Sequence, residues 1–192
     1  PFTVSATASS GLTPVVFTVN AGTATVSGTN GSTVTITGTA PVTIRATQAA
    51  CARYRPALIV TTGYSGGVSP IVKGGALVVA ARLMASDEAG DAASHPPIAA
   101  DAALVDASLG WLEEEFIRAH RGTIVSVPHA MPGPRQKAQL AAQLQAAAVD
   151  MESYWVAQAA GQTGTPVLAV RAASDTSTDT LPPGARFTAV KE

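Results

Sequence analysis

The sequence predicts an α/β domain with flanking helices, preceded by a small all-β module. Three observations carry this. From residue 58 onward, short apolar runs alternate with longer helix-forming stretches, the pattern of strands laid in a sheet and connected by helices. Residues 1–48 form a compositional island of Thr, Ser, Val and Gly in which Arg45 is the one charged side chain. The run PVLAV at 166–170 reads as a strand buried on both faces, and Arg171, Ser174 and Asp175 follow at once. Open α/β sheets bind ligands outside the carboxyl ends of their strands, so Asp175 stands where chemistry is expected.

Composition bounds the rest. The chain has 192 residues, enough for one or two domains, and 46% of them are hydrophobic, enough for a core. Charged residues make up 13%, and the net charge is −1, with no basic patch, which argues against a nucleic-acid partner. The single cysteine, Cys51, has no internal partner for a disulfide. The longest apolar runs fall far short of a membrane span, and no basic-then-apolar leader opens the chain. The first residue is Pro1, not Met, so a fragment or processed product is expected.

In the first 48 residues, strand-like alternation is broken by turn formers: FTVSAT, VVFTV, TATVSG, TVTITG and VTIRAT, with Asn20 and the pair Asn30-Gly31 between them. This wording resembles the bacterial immunoglobulin-like repeats of surface proteins. That likeness implies a partial Ig-like β module, a spacer or adhesion unit without catalytic residues. The competing reading is a β-rich, low-complexity tail. Residues 49–57 are a junction, where charge appears and alternation stops.

From residue 58 the elements follow in order. LIVTTG is a buried strand, and Gly63, Gly66 and Gly67 read as a flexible turn. Free backbone N–H groups there suit a ribose or an anion, or the glycines are merely structural. Residues 76–83 read as the next strand. Residues 86–97 are a polar loop with Asp87, Glu88, Asp91 and His95, whose spacing fits no compact metal motif, so no metal is expected. A helix over 101–120 carries Trp111 at apolar spacing and Glu113 to Glu115 on a solvated face. Residues 122–127 are a strand, 128–131 a loop, and 133–148 a helix of Ala, Gln and Leu with Arg135 and Lys137 early in it. A third helix is expected over 148–160, with Asp150 and Glu152 near its start, where the helix dipole favours negative charge. Gly161, Gly164 and Pro166 mark its exit. Pro182, Pro183 and Gly184 end any regular element, and the carboxyl end reads as cut short.

Two text blocks then become recognisable. VDME at 149–152 followed by PVLAVRAASD at 166–175, with IVTTGYSGGVSP at 59–70 and GALVVA at 75–80, resembles the superfamily of purine nucleoside phosphorylases and methylthioadenosine/adenosylhomocysteine nucleosidases. SDTSTDTLPP and MPGPRQKAQLAA are most similar to its hopanoid-associated branch. The resemblance spans about residues 51–191. It implies a partial phosphorylase-type three-layer sheet with flanking helices over 58–192, truncated at the amino-terminal side.

The resemblance also implies chemistry. Breaking a purine N-glycosidic bond passes through an oxocarbenium-like state, and the leaving base gathers negative charge at N7. Asp175 is then the general acid, with Ser174 orienting it. Glu152 has two acceptor oxygens for the ribose hydroxyls, and Met151 packs on the sugar. Gly63 and Tyr64 lie near the sugar. Ala130 and Met131 belong to the loop lining the base pocket, where His129 is either a ligand contact or a surface side chain. Arg171 is read as structural. Other readings stay open: helix capping by Ser174 and Asp175, and an exposed carboxylate in a helix first turn, a role assigned to Asp150. No cofactor is implied beyond phosphate as a co-substrate, and phosphate and water remain alternative nucleophiles.

The family's amino-terminal nucleophile site has no counterpart, because the β island stands in its place. Central strands are therefore expected to lack neighbours and expose their edges. Two functions follow. One is a nucleoside phosphorylase or nucleosidase acting on a purine nucleoside or an adenosyl-lipid. The other is a catalytically incomplete fusion of an Ig-like spacer and a degenerate nucleoside-binding domain. The likeness further implies a homo-oligomer. It implies a cytoplasmic place for the phosphorylase-like part, or a surface one if the Ig-like module is exported.

Overall fold

The computed structural model describes residues 2–3, 19–21, 24–27, 33–36, 43–44, 51, 53–86, 95–131 and 133–181. The chain divides into two units, Pro1–Pro56 with Gln162–Thr165, and Ala57–Gly161 with Pro166–Glu192. In the first unit, five short strands fall within or beside the alternating stretches: β1 (Phe2–Thr3), β2 (Val19–Ala21), β3 (Ala24–Ser27), β4 (Thr33–Ile36) and β5 (Thr43–Ile44). They pair antiparallel in the orders β1-β4-β3 and β2-β5. The Ig-like likeness rests mostly on residues outside those described, as does the acidic stretch from Asp87 to Asp91.

The second unit is built from β6 (Ile59–Gly67), β7 (Leu77–Ala85), β8 (Ile98–Ala99), α1 (Ala102–Glu114), β9 (Ala119–Ser126), α2 (Pro134–Leu144), β10 (Ala146–Asp150), α3 (Ser153–Gly161) and β11 (Val167–Asp175). It is a mixed α/β fold, one sheet with flanking helices. The strand order is β11-β6-β10-β9-β7-β8, and β11 also pairs with β7. The strands β11, β6, β10, β9 and β7 therefore close into a ring. Closure removes the unpaired central edges expected from the sequence, since each ring strand has a partner on both sides.

Alternation along β7 explains where the helices lie. Val78 and Ala80 join the core that holds Tyr154 and Ala157 of α3. Val79, between them, packs with Val105 and Leu112 of α1. Further along, Met84 joins Leu140 of α2 and Val125 of β9. Successive side chains of a strand face opposite sides, so one strand serves helices on both. Among the described residues, no helix is long and apolar enough to cross a membrane.

Four predicted elements are corrected. The helix expected over 133–148 ends at Leu144, and strand β10 begins at Ala146. The helix expected over 148–160 is a strand to Asp150 and a helix only from Ser153. Alanine favours helix in isolation, yet all five β10 residues are buried between β9 and β6, and that slot outweighs propensity. The glycine turn expected after residue 63 is strand, because β6 runs on through Gly67 and pairs with β11 as far as Gly66. The helix expected to reach residue 120 stops at Glu114, where Phe116 takes a positive φ of 57° and β9 begins at Ala119.

Gly122 shows how tight the ring is. A Cβ there would run into the Cβ of Ala147 on β10, both held by strand backbone. Overpacking of this kind costs about 1–3 kcal/mol. Gly122→Val should therefore lose about that much unfolding free energy and unfold at a lower urea concentration. An unchanged midpoint would mean that β9 and β10 can separate without penalty.

Candidate active site

A buried ion pair fixes the site. Asp150 ends β10 and Arg171 lies on β11, with side chains 1% and 4% exposed. Arg171 Nε donates to Asp150 Oδ2 at 2.8 Å and to Ser153 Oγ at 3.1 Å, and Nη2 donates to Thr61 Oγ1 at 3.1 Å. Asp150 Oδ1 accepts from Ser126 Oγ at 2.6 Å. Its Oδ2 also takes the backbone N–H of Ser153 at 3.1 Å and the Ser153 hydroxyl. The Ser126 Oγ in turn accepts from Tyr154 N at 2.9 Å. Asp150 therefore caps the start of α3, where the helix dipole favours its charge. It is not the exposed carboxylate expected from the sequence. Arg171 keeps its expected structural part, although its partner is Asp150 and not Asp175.

Around this network opens a cavity of about 230 Å³. Tyr64, Ser65 and Gly66 line it from β6, Val127, Ala130 and Met131 from the end of β9 and the loop beyond, and Lys137 from α2. Val149, Asp150, Met151 and Glu152 line it from the end of β10, and Asp175 and Leu181 complete the wall. Of the residues singled out in the sequence, Tyr64, Ala130, Met131, Met151, Glu152 and Asp175 thus meet in one pocket. Gly63 and Ser174 are not among its lining. Gly63 instead makes room for Arg171, since a Cβ there would stand 2.7 Å from Nη1. Ser174 supports the site from beside it, with Oγ 2.8 Å from Asp175 Oδ1 and 3.1 Å from the Ser65 carbonyl. His129 is exposed and outside the lining.

Asp175 reaches the pocket through a break in register. The β11–β6 pairing shifts between Ala173 and Asp175, so Ser174 is bulged out and Asp175 pairs with Gly66. Such bulges re-aim side chains next to active sites. The glycines of β6 allow the approach. A Cβ on Gly66 would stand 3.3 Å from Asp175 Oδ2, and one on Gly67 would stand 2.9 Å from the Asp175 carbonyl.

Glu152 stands at the rim with 64% of its side chain exposed, its Oε2 3.9 Å from Arg171 Nη2. Desolvation raises its pKa, the Asp150 charge raises it further, and Arg171 opposes both. Tyr64, 73% exposed, marks the mouth.

Sequence reasoning missed Lys137. It is fully buried, and its ammonium forms an ion pair with Asp175 Oδ2. Nζ also donates to the carbonyls of Thr176 at 2.6 Å and Asp179 at 3.2 Å. One signal was available: Lys137, Leu140 and Leu144 recur at helical spacing, which puts the lysine on the apolar stripe of α2. Among the described residues, no group of three metal-ligating side chains gathers here or elsewhere.

A model of the Phosphorylase superfamily matches residues 4–191, a span that includes the threonine-rich beginning. No curated protein matches the chain. Several solved structures share the fold. The 5'-methylthioadenosine/S-adenosylhomocysteine nucleosidase of Helicobacter pylori is 22% identical with a TM-score of 0.63, over 69% of this chain and 61% of that one. The Campylobacter jejuni nucleosidase of the same name is 21% identical with a TM-score of 0.63, over 71% and 64%. The futalosine hydrolase of Helicobacter pylori is 22% identical with a TM-score of 0.62, over 69% and 60%. The match thus spans about three fifths of each of these solved chains.

Arg171→Met leaves Asp150 as an uncompensated buried charge, which costs about 3–5 kcal/mol. Thermal or urea unfolding should register that loss. A melting curve like that of the unaltered protein would sink the claim that this pair holds the site together.

Proposed function

The chain belongs to the phosphorylase superfamily, and from that premise we propose that it cleaves the N-glycosidic bond of a purine nucleoside. The observation that carries this reading is the single pocket in which Glu152 and Met151 stand on one wall and Asp175 on another. The fold shared with nucleosidases and a futalosine hydrolase supports the reaction class.

The nucleoside enters past Tyr64, with its base against Ala130 and Met131 and its sugar over Met151. Glu152 accepts hydrogen bonds from the two ribose hydroxyls through its two carboxylate oxygens. That grip exposes C1′ to a nucleophile and removes rotational freedom that would otherwise oppose reaction. As the C1′–N9 bond breaks, its electron pair moves into the purine ring. A proton from Asp175 meets the charge growing at N7. Ser174, within hydrogen-bond reach of Asp175, orients the carboxyl. The incoming oxygen, from phosphate or from water that releases a proton to solvent, bonds to C1′ on the opposite face. The likeness of the 131–142 and 174–183 text to the hopanoid-associated branch points to an adenosyl-lipid as one substrate.

The test is purine release from adenosine, methylthioadenosine and inosine, with and without phosphate. Release that requires phosphate identifies a phosphorylase, and release without it a hydrolase. Asp175→Asn should lower kcat by about 10²–10⁴-fold, the usual worth of a general acid. No purine released by folded protein from any of these, or from an adenosyl-lipid, would favour the alternative of a nucleoside-binding domain without turnover.

The rim carboxylate sets a pH dependence. Ribose binding needs ionised Glu152, whose pKa lies above the ordinary glutamate range. KM should therefore rise as pH falls through that raised value. Glu152→Gln should show a high KM at every pH without this limb. An acid limb retained in the variant would assign the titration to another group.

A further inference from the structure

Lys137 has no part in the reaction as written above, yet it is the cation nearest the proposed acid. An ammonium ion without exposure to water is strongly disfavoured unless paired and hydrogen-bonded. Here its three N–H groups go to three oxygens: Asp175 Oδ2, the Thr176 carbonyl and the Asp179 carbonyl. One of the three is the carboxylate that lines the pocket, and Lys137 lines the pocket itself.

We propose that Lys137 is the positioning residue for Asp175: it fixes the carboxyl towards the leaving base and compensates the carboxylate formed when the proton departs. The proposal rests on the reading of Asp175 as the acid at N7. In the reaction the proton of Asp175 passes to N7, the C1′–N9 electron pair enters the base, and the carboxylate left beside Lys137 regains a proton from solvent before the next turnover. The lysine keeps its proton throughout, so charge and atoms balance.

The other groups facing the pair do not replace it. Asp179 turns its carboxylate to Thr176, accepting from N and Oγ1 at 2.8 Å each, and these bonds hold its pKa low. Asp150 is neutralised by Arg171, and Glu152 lies at the rim.

The experiment is kcat and KM for the unaltered protein, Lys137→Met, Lys137→Gln and Lys137→Arg. In the two neutral variants kcat should drop at least about tenfold with KM little changed, because Lys137 acts on the group that meets the leaving base and not on the grip of the sugar. Lys137→Arg keeps the charge and should recover most of the loss. A folded neutral variant with unchanged kcat, or one whose loss falls on KM, overturns the proposal.

A second measurement reads the pair without turnover. Carbocyclic adenosine cannot form the oxocarbenium state but keeps N7, and its 7-deaza counterpart lacks it. The unaltered protein should bind the first more tightly than the second, and Lys137→Gln should lose most of that preference while binding the 7-deaza compound as before. A preference unchanged in the folded variant overturns the proposal. Asp175→Asn separates the two readings. If that variant is fully active, the acid role itself falls. If it is inactive while the Lys137 variants are fully active, only the role of Lys137 falls.

Discussion

The fold around the pocket depends on one buried ion pair, Asp150 with Arg171. Neither charge can stay in the interior alone, so each dictates where its neighbours go. Satisfying Arg171 brings Thr61 of β6 and Ser153 of α3 to it, and satisfying Asp150 brings Ser126 of β9. Four strands and one helix are thereby set against each other at a single point. Once Asp150 is pinned, the next two residues, Met151 and Glu152, must leave the sheet where the pocket opens. The chemistry assigned to Glu152 is thus prepared by a residue that takes no part in it.

The ring of strands answers a second constraint. Its strands approach closely because Gly63, Gly66, Gly67 and Gly122 leave space for Arg171, Asp175, Val72 and Ala147. Larger residues at these points would push β6 away from β11, or β9 away from β10. The glycines of β6 read in the sequence as a loop bending towards a ligand. They are needed instead for the protein to approach itself, and the ligand side of that arrangement is the carboxyl group they let through.

The pocket side chains were legible where the family resemblance carries the signal. VDME followed by RAASD places two acids at the ends of two elements, and both acids line the same cavity. What was not legible depended on distant partners. The β10 run AAAVD has the composition of a helix, and only burial between two strands makes it a strand. Lys137 sits in a helix rich in Ala and Gln, with nothing nearby to distinguish it from a solvated lysine except its place on the apolar stripe. Its partner Asp175 lies 38 residues later, a separation that local pattern cannot reach. The first 48 residues read as strands in the text, and the strands described there fall within or beside the alternating stretches, but alternation alone does not say which β architecture they build.

The closing of the ring also has a meaning in time. Arg171 and Thr61, joined in the network, stand 110 residues apart. The strand that brings Arg171 and Asp175 is β11, the last of the chain's strands among the described residues. On a chain emerging from a ribosome, β6, β7, β9 and β10 must wait for it, with Asp150 lacking its cation and Lys137 its anion. Contacts between distant segments form late because the intervening chain must first be closed into a loop. Asp150 and Lys137 are thus neutralised by the same strand, so both of these buried charges depend on the docking of β11 against β6 and β7.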